Sequence, residues 1–234
     1  MKRLLLVLML VGCALLCFAN GVTAQTPPEP EPLHFQPPQT ISVTEIAIPK
    51  GCLVNGTVVL DALITEEGKP QEIEIRRDIP CIAAPAVEAV ENWKFSPAMV
   101  KGRAVASRIM VAVTFCPVGA MADPISAGTL KPQTDAAVQA EFQPAEVLHG
   151  KYPLYPVDAT AFGTVVLEAT LTARAEVENV KVVRDLPPFT THTRDAVGEW
   201  RFMAATDNGS PIASKVVLAF VFLPMPQPYI PSNN

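Results

Sequence analysis

Histidine is scarce in this chain of 234 residues, with three copies: His34, His149 and His192. They are scattered, so no pair has the spacing of metal ligands. No Ser-His-Asp or Cys-His constellation can be drawn around them. A glycine-rich loop that could cradle phosphate is also missing. Glu66-Glu67 reads as part of a turn, and Glu72 and Glu74 read as a solvated strand face. These gaps argue against an enzyme, a metal site and a cofactor.

Basic charge is in deficit too, with 18 Lys and Arg against 23 Asp and Glu, a net charge of −5. That balance disfavours nucleic acid and anionic lipid as partners. Long apolar runs are confined to one place. Lys2 and Arg3 precede Leu4 to Phe18, and Val22-Thr23-Ala24 supplies small residues before Gln25. Basic start, apolar middle and small-residue site read as a secretory signal over residues 1–24. The run is short for a membrane span of about 20 residues. Two alternatives stay open: a retained anchor, and a lipoprotein signal at Leu10-Val11-Gly12-Cys13. Cleavage leaves 16 basic against 23 acidic residues, net −7. The expected location is the periplasm or the exterior.

Cysteine is sparse as well. Of five, three follow the leader: Cys52, Cys81 and Cys116. An exported chain can hold a disulfide, and three cysteines allow one bridge and one thiol. No CxxC spacing supports thioredoxin-like chemistry.

What the chain does contain is a repeat. Gly56-Thr57-Val58-Val59-Leu60-Asp61-Ala62 returns as Gly163-Thr164-Val165-Val166-Leu167-Glu168-Ala169, an offset of 107 residues. The same offset carries Arg77-Asp78-Ile79-Pro80 onto Arg184-Asp185-Leu186-Pro187, and Trp93-Lys94-Phe95 onto Trp200-Arg201-Phe202. Two copies are too few for a solenoid, so they read as tandem small domains.

In each copy, period-two alternation predicts strands with one buried face. In repeat one these are Thr57 to Thr65, a second run through Ile73 and Ile75, and a third from Val105 to Phe115. A helix is expected from Ala83 to Trp93, with Pro85 in its first turn where a missing N–H is tolerated. In repeat two the strands are Thr164 to Thr172, Val177 to Arg184 and Ile212 to Leu223, and the helix runs from Thr190 to Trp200. The expected class is α+β: two domains, each a three-stranded antiparallel sheet of order 2-1-3 backed by a helix. That order gathers Cys52, Cys81 and Cys116 at one end of the first sheet, and a bridge that includes Cys52 is favoured. It also leaves the third strand of each domain as an edge.

The expected organisation is signal 1–24, Pro/Glu-rich spacer 25–40, domain one 41–118, linker 119–150, domain two 151–224 and Pro-rich tail 225–234. A short helix is expected within the linker, from Asp135 to Phe142. Trp93, Phe95, Trp200 and Phe202 read as core anchors.

Tyr155-Pro156, Ala159, Gly163-Thr164-Val165-Val166, Trp200-Arg201-Phe202 and Asn208-Gly209 resemble the TonB C-terminal domain pattern. Repeat one matches at Gly56-Thr57-Val58-Val59, Gly68, Trp93-Lys94-Phe95-Ser96-Pro97-Ala98 and Gly102. The resemblance implies a protein partner in the cell envelope, such as an outer-membrane transporter, whose extended peptide adds a strand to the sheet edge. On this chain the implied edges carry Arg108, Met110 and Ala112 in repeat one. In repeat two they carry Ile212, Ser214, Lys215, Val217, Ala219 and Val221. The outward faces of these strands are apolar, and an apolar face usually means contact. Two further readings stay open: an anchored energy transducer, and a structural pair whose edges meet each other or a second copy in a homodimer.

Overall fold

A computed structural model describes residues 35–47, 51–52, 54–119, 124, 142–156, 159 and 161–223. The leader, Cys13, the first part of the spacer, most of the linker with its expected helix from Asp135, and the Pro-rich tail lie outside the described residues.

Repeat one contributes β1 (Phe35–Gln36), β2 (Gln39–Ser42), β3 (Gly56–Ile64), β4 (Pro70–Arg77), β5 (Lys94–Ser96), β6 (Ala98–Val100), β7 (Arg103–Val105) and β8 (Ser107–Cys116). Repeat two contributes β9 (Phe142–Gln143), β10 (Glu146–His149), β11 (Gly163–Leu171), β12 (Val177–Arg184), β13 (Arg201–Met203), β14 (Ala205–Asp207), β15 (Ser210–Ile212) and β16 (Ser214–Phe222). Helices run from Ala83–Glu91 and Phe189–Gly198. The offset of 107 therefore holds from Phe35 onward, beyond the range in which the sequence repeat is obvious. Strands Phe35–Gln36 and Gln39–Ser42 lie partly within the stretch read as spacer, and Phe142–Gln143 and Glu146–His149 lie within the stretch read as linker.

Each repeat has the 2-1-3 order, as β4-β3-β8 and β12-β11-β16. The two sheets do not end there. β8 and β16 pair in parallel, from Met110 opposite Val216 to Cys116 opposite Phe222, giving one six-stranded sheet, β12-β11-β16-β8-β3-β4. This corrects the expectation of free third-strand edges. The physical reason lies in the sequence of β16, Val216 to Phe222, which is apolar on both faces. Such a strand suits the middle of a sheet covered on both sides.

Successive side chains on a strand point to opposite faces. Val58, Leu60 and Ala62, with Val111, Val113 and Phe115, share a core with Ala86, Val90 and Trp93 of the first helix. Val217, Ala219 and Val221 of the other repeat join that same core. Conversely, Val165, Leu167, Val216, Leu218 and Phe220 pack with Phe189, Val197 and Trp200, and Met110 and Ala112 join them from repeat one. The helices thus cover opposite faces, and each core crosses the parallel seam. Trp93 and Trp200 are both buried, as are Phe95 and Phe202.

Turns follow local chemistry. Asn208 and Gly209 both take positive φ in the two-residue connection between β14 and β15, the geometry that favours Asn-Gly. Gly68 has φ +77, and a Cβ there would lie 1.9 Å from the carbonyl oxygen of Phe95, so only glycine fits. Cys52 and Cys81 form a disulfide, while Cys116 is a buried free thiol.

Candidate functional site

The residues expected to form a peptide-binding edge lie inside the sheet. Met110, Ala112, Val217, Ala219 and Val221 are at most 2% exposed. Val217 pairs with Glu168 on one side and Val111 on the other, so its strand offers no free ladder. Ser214 is buried at the start of β16, and Ile212 belongs to the hairpin strand β15. Arg108 and Lys215 also turn inward, to buried carboxylates. Arg108 Nη1 lies 3.4 Å from Asp61 Oδ1, and Lys215 Nζ lies 2.8 Å from Glu168 Oε1. Each pair links the central strand of a repeat to its third strand, in equivalent positions.

Those charges sit under crossing segments that sequence reasoning missed. β2 pairs with β5 of its own repeat. Beside it, the chain of repeat one lies on repeat two. The Thr40 N–H donates to Glu168 Oε2, Lys181 Nζ donates to the Thr40 carbonyl at 3.4 Å, and Arg184 meets Glu45 at 2.7 Å. β10 mirrors this arrangement. It pairs with β13, and Glu146 meets Arg76 Nη2 of repeat one at 2.8 Å. Arg76 Nη1 in turn lies 3.5 Å from Asp61 Oδ2. Burial pushes the Asp61 carboxyl above its ordinary range, opposed by the neighbouring Arg108 and Arg76. The signal for these straps was present as Phe35-Gln36-Pro37 and Phe142-Gln143-Pro144, again 107 apart.

Tyr155 closes one end of the second core. Its hydroxyl donates to the Leu223 carbonyl at 2.9 Å, and its ring meets Phe189 and Phe222 edge-on.

With β8 and β16 joined, the outer strands of the sheet are β4 and β12, each paired on one side only among the described residues. They are not alike. β4 starts at Pro70 and takes positive φ at Glu72, while both strands shift register twice against their neighbours, β4 against β3 and β12 against β11. Bulges and charges of this kind blunt an edge. On the helix side of β4, Ile73, Ile75 and Val87 are half-buried and pack against the core. In repeat two the matching residues are Val180, Val182 and Arg194. There the strand and helix are separated by an open cleft, lined in part by Val177, Val180, Thr191, Arg194 and Asp195. It continues past Val182 to Asp185, Pro187 and Pro188. Comparing Val87 with Arg194 in the aligned repeats was the sequence signal for this difference.

Among the described residues, no group of His, Cys, Asp and Glu side chains is placed to hold a metal. No helix among them is long and apolar enough to cross a membrane. A family model described as Gram-negative bacterial TonB protein C-terminal matches residues 54–117 and 149–224, together more than half of the chain. The two matched segments correspond to the two repeats. Comparison with curated proteins gives no match.

Proposed function

The chain belongs to the TonB C-terminal family and is an envelope protein of TonB type; from that premise we propose that it is a non-enzymatic interaction protein that captures an extended peptide of a partner by strand addition. The observation that carries the reading is the pair of outer strands. β4 and β12 each keep one row of main-chain groups outside the ladder, which is what an added strand requires. An outer-membrane transporter is the partner that the family suggests. The location that fits this role is the periplasm, reached by cleavage before Gln25.

The test uses proline at adjacent positions of each outer strand: Val180→Pro and Lys181→Pro in β12, Glu74→Pro and Ile75→Pro in β4. Successive N–H groups of a strand point in opposite directions, so one of each pair removes an outward donor and the other breaks the internal ladder. Capture from envelope extract should fall for the outward variant that remains folded. Unchanged capture by folded outward variants of both strands would rule out strand addition.

A second reading has its own observation. The seam between β8 and β16 already uses both third strands, which favours a structural domain pair with no peptide ligand. Under that reading extract capture is absent, and light scattering reports whether a homodimer forms. N-terminal sequencing decides between a mature start at Gln25 and an anchored transducer.

A further inference from the structure

We propose that the cleft between β12 and the helix Phe189–Gly198 is the peptide seat, and that its occupant is an extended segment of a partner protein carrying basic residues. This rests on the strand-addition reading and adds the site and the ligand chemistry.

Three observations converge. First, the cleft lies beside a strand edge that no other strand among the described residues pairs, so main-chain and side-chain recognition can act together. An extended peptide satisfies strand-spaced main-chain groups and presents alternate side chains to one face. Second, that face is apolar at its floor. Val180 and Val182 stand opposite Ala169 and Leu167, with Val177 opposite Leu171, so all three project to the helix side. Val182 is 37% exposed there. Third, the rim is acidic. Glu178, Asp185 and Asp195 line the cleft against one guanidinium, that of Arg194. None of these four side chains has an ion-pair partner among the described residues, in contrast to the charges beneath the straps. Unneutralised acids around an apolar trough select a peptide that alternates apolar and basic residues.

Repeat one supplies the control. It is the same fold with the larger apolar side chains Ile73, Ile75 and Val87 at the matching positions, all packed against the core. Stapling by Cys52–Cys81 joins the entry of β3 to the start of its helix, and the corresponding positions in repeat two are Ala159 and Pro188. The duplication thus holds one closed copy and one open copy.

The experiment grafts the closed copy onto the open one: Val180→Ile, Val182→Ile and Arg194→Val together. Probes are synthetic peptides matched to the eight residues of β12, one alternating valine with lysine and one alternating valine with glutamate. Wild-type protein should bind the lysine peptide at least about tenfold tighter than the glutamate peptide. The graft should lose that binding while keeping its thermal transition. It deletes a positive charge, so electrostatics alone would tighten lysine-peptide binding, and a loss reports the filled trough. Glu178→Gln with Asp195→Asn should narrow the gap between the two peptides. Equal binding of both peptides, or full binding by the graft, overturns the proposal. If the lysine peptide fails on wild type while outward proline variants of β4 abolish extract capture, the cleft is wrong and strand addition stands. If neither edge matters, both readings fall.

Discussion

Phe35 and Phe142 hold the same position in the two repeats, and their rings face each other with centroids 5.8 Å apart. Equivalent residues meeting in this way mark a pseudo-symmetric pair, in which each repeat reaches its counterpart through the segment that precedes its first central strand. The contact is testable by a double-mutant cycle. Phe35→Ala and Phe142→Ala should each destabilise, and the pair should show a coupling of about 1 kcal/mol. Urea unfolding of the four proteins measures it. Strict additivity would mean that the rings do not contribute jointly.

Val217→Pro probes the seam. Val217 is fully buried and flanked by strands on both sides. Proline there removes a ladder donor and leaves an acceptor unpaired, at a cost of about 1–3 kcal/mol before any steric strain. The expected outcome is a lowered thermal transition by circular dichroism and poor recovery of folded protein. Retention of wild-type stability would mean that β16 behaves as an edge.

Asp61 gives a pH signature. Its carboxyl is raised, first by burial, with Arg108 and Arg76 opposing. The folded state therefore holds this proton more tightly than the unfolded chain. The associated stability is fully present below the ordinary value of 3.8 and is lost as pH rises through the raised value. Subtracting the stability profile of Asp61→Asn from that of wild type should give a curve that falls with rising pH in that window. A flat difference would remove Asp61 as the source.

The cysteines should behave differently from one another. Burial pushes the Cys116 thiol well up, so its nucleophilic thiolate is scarce at neutral pH. In protein that starts at Gln25, iodoacetamide should label no thiol in the native state and one after denaturation. Reducing the Cys52–Cys81 bridge, which spans 29 residues, should cost about 2–4 kcal/mol. Labelling of Cys116 at a surface-like rate in folded protein would contradict its burial.

Much of the fold was legible because the signals are local. Alternation in Val58 to Ile64, Asn208-Gly209 at a hairpin and the Trp93-Lys94-Phe95 cluster each specify structure within a few residues. The 2-1-3 order followed from short connections. Parallel pairing of β8 with β16 did not, because nothing near Val217 in sequence specifies which apolar strand covers it. Its two-sided apolar pattern did signal a covered position, and the intramolecular partner was one of the open readings. The straps were hidden for another reason. Phe35-Gln36-Pro37-Pro38 sits in a proline-rich context that reads as a spacer, and only the distant repeat of Phe-Gln-Pro gives it meaning. At the candidate site, Val180 and Val182 are spaced two apart, as on any strand face. Their openness comes from Arg194 replacing a valine on a helix 12 residues beyond Val182.

The crossing straps also set the order in which the molecule can be made. Thr40 finds its acceptor on Glu168, 128 residues later, and Glu45 finds Arg184, 139 residues later. Contacts between such distant residues slow folding, because long loops must close before the contacts stabilise anything. Until β16 has emerged and docked, β8 presents an apolar strand with one side unpaired, the form most prone to joining a neighbouring chain. A half-length chain is therefore an aggregation-prone intermediate rather than a smaller working protein. The nascent chain needs protection until its last strand arrives.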